Sequence, residues 1–245
     1  MHPLLAILVS GIALQDTIRP TLSADLLQRV DSIAAAEFAK DSLGSITIGV
    51  VSGPSLVWAK SYGYTDRERT VKANSETVYR IASVTKQFTA LMLLQLVERG
   101  RLRLSDPVER FFPEVRRIRG KEPGSPAITF VQLATMTSGL SRDPDDARRS
   151  KSGAAANWEN AVRRAMPQTT YARPPGSAVL YSNIGYATLG AGLARAAGER
   201  YVAYVTRNLL QPLGMTSTTF ELTPSMTGRF PERPSKVSAR RRCRS

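Results

Sequence analysis

The apolar positions of this chain fall into runs of two periodicities. From Ser23 to Lys40, the residues Leu26, Leu27, Val30, Ile33, Ala34 and Phe38 recur at helical spacing, which predicts a surface helix with one buried face and Ser23 placed to cap its first turn. Ile46 to Ser52 and Ser55 to Ser61 are β-rich and joined by Gly53-Pro54, which reads as a hairpin. A third extended segment, Thr77 to Ile81, leads as a strand into a helix that begins near Ser83 and carries Phe88, Leu91, Met92, Leu93, Leu94, Leu96 and Val97. A helix apolar on nearly every side is expected to lie buried in the middle of a domain. Gly100 ends it.

Beyond Asp106-Pro107 the pattern predicts a short helix around Val108 to Phe112 and a helix capped by Thr129 that runs through Met136. The polar stretch Ser141 to Asn157 reads as a loop or insertion. After Pro174-Pro175-Gly176 the chain enters a helix to Ala197, and a further helix, Tyr201 to Leu210, stops at Pro212. At the other end, the apolar run Pro3 to Leu14 is too short for a stable membrane span but has the length of a signal-peptide core, with Gly11-Ile12-Ala13 as a small-residue cleavage site. Residues 1–15 are therefore expected to direct export, to the periplasm or the exterior. The competing reading is a buried N-terminal strand or helix, because the stretch before the run lacks lysine and arginine.

Composition narrows the chemistry. With 245 residues, 42% of them hydrophobic, the chain can form one large domain or two small ones with a substantial core. Its net charge of +14 invites a nucleic-acid reading, but +6 of it sits in the last 19 residues, Thr227 to Ser245, so nucleic acid is not the expected partner of the folded part. The single histidine is His2 and the single cysteine is Cys243. A Ser-His-Asp triad, an intrachain disulfide, a cysteine-rich zinc site and a cysteine nucleophile are thereby excluded from the body of the chain. No metal or other cofactor is expected. A nucleophilic enzyme with this composition needs serine or threonine and a base other than histidine, for which lysine is the usual substitute. Ser83 and Lys86 stand three residues apart at a helix start, on one face, where hydroxyl and amine can meet. On spacing alone, the alternative is a solvated lysine on the first turn of a core helix.

The context is more specific than the spacing. The run Tyr64-Thr-Asp66, Thr77-Val-Tyr-Arg-Ile-Ala-Ser83-Val-Thr-Lys86 and Leu96-Val-Glu-Arg-Gly100 through Asp106-Pro107 resembles the serine β-lactamase-related family. That family holds class C β-lactamases, D-alanyl-D-alanine carboxypeptidases, D-aminopeptidases and related esterases. Leu133-Ala-Thr-Met-Thr-Ser-Gly139-Leu140, Pro175-Gly176, Tyr181-Ser-Asn183 and Pro212-Leu-Gly-Met215 resemble the same family in the same order. Met136 stands where the family often has histidine.

The resemblance implies an α/β fold of the β-lactamase and penicillin-binding-protein type, an antiparallel sheet flanked by helices beside an all-α region. Residues 22–82 would supply the N-terminal part of the α/β region and 83–220 the mainly helical region. It also implies that Ser83 attacks an amide or ester carbonyl of a small-molecule or peptide substrate and forms an acyl-enzyme. Either Lys86 or Tyr181 would take its proton, Asn183 would order Lys86 and the substrate's amide, and the Ser83 N–H would be one oxyanion donor. Read without the resemblance, Tyr181 and Asn183 are a packing aromatic and a helix cap. The family's third motif, on a C-terminal strand, has no counterpart after Met215, and residues 221–245 read as a basic, disordered tail with no strand alternation. The expectation is a frameshifted or truncated chain that lacks the C-terminal strands. The alternative to a hydrolase is accordingly an inactive remnant or a penicillin-recognising protein without turnover. Oligomeric state is not legible.

Overall fold

The computed structural model describes residues 23–40, 42, 44–145 and 157–231. In chain order the elements are α1 (Ala24–Ala39), β1 (Ser45–Ser52), β2 (Ser55–Gly63), α2 (Thr85–Glu98), α3 (Phe130–Ala134), α4 (Trp158–Ala165), α5 (Asn183–Ala197), α6 (Tyr201–Val205) and α7 (Pro224–Thr227). The described residues fall into two compact units, the first made of those up to Tyr79 together with 225–231, the second of those between Arg80 and Pro224. The expected export signal, residues 146–156 of the polar stretch and residues 232–245 of the basic stretch lie outside the described residues.

In the first unit, Ser23 caps α1, its hydroxyl accepting from the Leu26 N–H at 3.2 Å. The buried stripe is narrower than the periodicity suggests: Ala34 is buried, whereas Leu26 and Ile33 are exposed. The stripe follows Leu27, Val30, Asp31, Ala34 and Phe38, and it includes a carboxylate because β2 supplies its partners. Lys60 Nζ donates to Asp31 at 2.7 Å, the Tyr62 hydroxyl donates to the same carboxylate, and the Phe38 and Tyr62 rings stack at 6.3 Å. Burial and Asp31 push the Tyr62 phenol up to about 12. β1 and β2 pair antiparallel from Ser45↔Gly63 to Ser52↔Ser55, with a bulge between Val50 and Val51. Among the described residues this hairpin is the sheet. The strand expected over Thr77 to Ile81 does not form: the Val78 N–H donates to the Arg229 carbonyl at 2.9 Å, and one such bond is not a ladder. Of residues 221–245, those from 221 to 231 are described, with α7 and a buried Met226.

The second unit is built on α2 and α5. Met92, Leu93 and Leu96 of α2 pack with Phe130 and Leu133 of α3 and Leu189 and Leu193 of α5, all nearly inaccessible. Burying each such side chain is worth about 1.5–3 kcal/mol. The expectation that α2 is buried all round is corrected here: Leu91 is 42% and Leu94 54% exposed, so one face forms the core and the other is open. The glycine stop holds, since Gly100 takes φ 64° and its N–H and that of Arg101 close the helix onto Val97 and Leu96. α3 begins at a capping box, with Thr129 and Gln132 bonding each other's backbone N–H, and stops at Ala134 instead of Met136 because Met136 turns left-handed at φ 60°. The segment expected as a short helix near Val108 is a three-residue 3-10 turn, Val108–Arg110. The helix starting at Tyr201 widens into a π-helical turn over Thr206–Leu210. Among the described residues, no helix is long and apolar enough to cross a membrane.

Candidate active site

The site is assembled from two segments of the second unit. Ser83 lies in the 3-10 turn Ala82–Val84 that leads directly into α2. Ala82 before it takes φ 44°, a left-handed conformation that costs a non-glycine residue on the order of 1 kcal/mol and is common at functional turns. The turn places the Ser83 hydroxyl on the Lys86 face of α2, and Lys86 Nζ donates to Ser83 Oγ at 3.2 Å.

The second segment comes from the start of α5, and its position is set by backbone bonds. Leu180 N–H donates to the Met136 carbonyl at 2.8 Å, Gly176 N–H to Thr137 at 2.7 Å and Ala172 N–H to Gly139 at 2.8 Å. Gly139 makes this lacing possible. Its φ is 74°, and a Cβ there would stand 2.1 Å from the Arg173 carbonyl oxygen. Gly139→Ala is therefore expected to destabilise the protein by about 3 kcal/mol or more, read as a lower denaturation midpoint with an unchanged m-value.

The N-terminal amides of α5 are all satisfied. The N–H groups of Asn183 and Ile184 donate to the Arg142 carbonyl, that of Tyr186 to the Ser182 carbonyl, and that of Gly185 to Ser182 Oγ at 2.9 Å. Ser182 is buried and its hydroxyl donates to the Ser141 carbonyl at 2.7 Å. With Ser182 pointing in, Tyr181 points out, and its hydroxyl donates to Ser83 Oγ at 2.6 Å. Asn183 Oδ1 accepts from Lys86 Nζ at 3.0 Å.

The structure thus brings Ser83, Lys86, Tyr181 and Asn183 together, with Ser83 Oγ bonded to both Tyr181 and Lys86. Lys86 Nζ also lies 4.8 Å from the centre of the Tyr181 ring, and the Arg142 guanidinium lies 5.0 Å from it. The Tyr181 phenol is held below its ordinary value, first by hydrogen bonding with Lys86 and then with Ser83, with the charges of Lys86 and Arg142 adding to this and desolvation opposing it. Tyr186, whose hydroxyl donates to the Ala134 carbonyl at 2.8 Å, is pushed up, chiefly by burial. Two tyrosines near one lysine are thus driven in opposite directions.

Sequence reasoning missed Asp143. Its Oδ1 accepts from Asn183 Nδ2 at 3.0 Å, which fixes the amide with its oxygen toward the Lys86 ammonium; the flipped amide would set donor against donor and acceptor against acceptor. Asp143 lies in a polar stretch and has no spacing signature, so only the fold reveals it. Asp143→Ala is expected to lower kcat/KM about tenfold, the equivalent of one charged hydrogen bond misdirected, with the melting temperature unchanged. Asp143→Asn, turned to present its oxygen, restores most of the loss; a variant that loses activity only in proportion to stability would deny the positioning role. Among the described residues, no three His, Cys, Asp or Glu side chains cluster as metal ligands.

Comparison with known proteins places the chain in a family. A family model described as Beta-lactamase matches residues 30–242. Over 204 residues the chain is 34% identical to protein flp of Staphylococcus aureus (strain COL), covering 82% of this chain and 40% of that one. Over 232 residues it is 32% identical to the D-alanyl-D-alanine-carboxypeptidase/endopeptidase AmpH of Escherichia coli (strain K12), covering 92% and 57%. Among solved structures, a beta-lactamase/D-alanine carboxypeptidase from Yersinia pestis complexed with citrate superposes with a TM-score of 0.67 at 25% identity, covering 86% of this chain and 60% of that one. The chain spans about two-fifths to three-fifths of the length of these relatives. The fold is the β-lactamase and penicillin-binding-protein type that the resemblance implies.

Proposed function

Because this chain belongs to the Beta-lactamase family, we propose that it is a serine hydrolase that opens an amide or ester through an acyl-enzyme on Ser83. One observation carries the reading: Ser83 Oγ is held between the Tyr181 hydroxyl at 2.6 Å and Lys86 Nζ at 3.2 Å. Tyr181 is the base. As described, its O–H donates to Ser83; once that proton is lost, the bond reverses and the Ser83 O–H donates to the phenolate. Ser83 Oγ then attacks the carbonyl carbon while its proton moves to Tyr181, and the Ser83 N–H, at the start of the turn into α2, steadies the carbonyl oxygen as it becomes negative. Collapse breaks the C–N or C–O bond, Tyr181 passes the proton to the leaving group, and water releases the acyl group by the same steps in reverse order. Lys86 donates to Ser83 and Asn183 and favours the phenolate by its charge. The second N–H of Asn183 Nδ2 is available to the carbonyl of a substrate amide.

Candidate substrates are a β-lactam, a D-amino-acid peptide or a small ester. Mixing the protein with a chromogenic β-lactam and, separately, with 4-nitrophenyl acetate tests this. The expected result is a burst of product equal to the protein concentration, with the acyl mass on the peptide containing Ser83. An adduct that forms and never turns over identifies a penicillin-recognising protein instead. Turnover with no adduct on Ser83 overturns the reading.

A further inference from the structure

A cavity of about 430 Å³ opens beside the reacting atoms, within the second unit. Ser83, Lys86 and Asn183 contribute to its lining, and the rest is almost wholly apolar, with Ala187, Trp158 and Phe220 among the walls. Its lining runs from Ser83, in the 3-10 turn, onto α2 as far as Thr89, about 10 Å at the rises of the two helix types. The far wall is an aromatic cluster: the Trp158 and Tyr201 rings meet edge to face at 5.2 Å, and those of Tyr201 and Phe220 at 5.7 Å.

Two features show what such a space accepts. Three of its hydroxyl groups are already committed to each other or to the backbone. Thr89 Oγ1 and the Tyr201 hydroxyl are paired at 2.8 Å in a buried bond, and the Tyr186 hydroxyl is committed to the Ala134 carbonyl. A sugar or a polar peptide side chain placed there would lose its water without gaining partners. The second feature is Gly190. It lines the cavity, and a Cβ there would stand 3.1 Å from Trp158 Cη2 and 3.6 Å from the Tyr201 ring. The missing side chain lets the tryptophan lie against α5.

We infer that this cavity is a subsite for an extended apolar group, an aryl or medium-length alkyl acyl chain, attached to the carbonyl that Ser83 attacks. The assignment rests on Ser83 acylation as proposed above and adds the class of acyl group. Each methylene buried along the cavity raises kcat/KM by about fourfold, so selectivity climbs along a homologous series until the cavity is filled. Ala187 stands on the α5 wall, and a larger side chain there shortens the space.

The test has two arms on the full chain. In the first, kcat/KM is measured for 4-nitrophenyl esters from acetate to octanoate. The octanoate-to-acetate ratio is expected to exceed about 100 and to fall at least tenfold in Ala187→Leu. A flat series, or an unchanged ratio in Ala187→Leu, overturns the subsite. In the second arm, Ser83→Ala in a Trp58→Phe background leaves Trp158 as the only tryptophan, and N-methyloctanamide is titrated by fluorescence. Saturable quenching that weakens at least tenfold on adding Ala187→Leu supports the subsite even if no ester acylates Ser83, in which case the hydrolase reading alone fails. Absence of quenching, or quenching indifferent to Ala187→Leu, overturns the subsite while leaving acylation of Ser83 by acetate unaffected.

Discussion

Ser83→Ala is expected to lower turnover of an activated ester by at least about 10³-fold and to abolish the acyl adduct. The size follows from what remains. In the proposed mechanism, loss of Oγ leaves Tyr181 and Lys86 no nucleophile to serve, and only positioning and the oxyanion donor stay behind, which in other serine hydrolases leave a small residual rate. Stability should change by less than about 0.5 kcal/mol, because Ser83 is exposed and the turn it occupies has no side-chain cap bond. Steady-state kinetics beside a thermal melt separate the two effects. Turnover that survives in a well-folded variant would place the nucleophile elsewhere.

Tyr181→Phe is expected to cost about 10²–10⁴ in kcat, the range of a lost general base. The ring is retained, so its contacts with Lys86 and Arg142 at 4.8 and 5.0 Å are retained as well, and the loss reports the hydroxyl. The pH profile gives the sharper result. A base acts when deprotonated, so kcat/KM rises with pH as Tyr181 loses its proton. Hydrogen bonding with Lys86 and Ser83 holds that phenol below the ordinary tyrosine value, so the rising limb lies below about pH 10. In Tyr181→Phe the limb disappears. A limb that persists in the phenylalanine variant would transfer the base role to Lys86.

Much of this architecture is written in periodicity. α1, the hairpin, α2 and α5 lie close to their expected bounds because helical and alternating patterns are local properties of the chain. The departures come from what a local pattern does not contain. Thr77 to Ile81 has the residues of a strand, but a strand also needs a partner edge, and Val78 makes a single backbone bond to Arg229. α2 is apolar all round, yet composition does not say which faces meet a neighbour, and Leu91 and Leu94 remain exposed. The 3-10 turns after Gly100 follow from chain geometry among prolines and charged residues rather than from any repeat. Within the site, Ser83 and Lys86 are legible because they sit one turn apart. Tyr181 and Asn183, nearly a hundred residues away in sequence, become legible only through family resemblance. Asp143 is one acid among several in a polar loop, and its part appears only when α5 brings Asn183 against it.

Ser182 has no chemistry of its own, yet it separates Tyr181 from Asn183 and is the residue that points inward between them. Its buried hydroxyl closes α5 at Gly185 and ties that helix start to Ser141. The placements of Tyr181 and Asn183 therefore share one anchor: a substitution that removes the Ser182 hydroxyl is expected to disturb both neighbours at once. Substitutions at Tyr181, Ser182 and Asn183 are expected to be non-additive for the same reason, even though Ser182 itself is buried away from the candidate site.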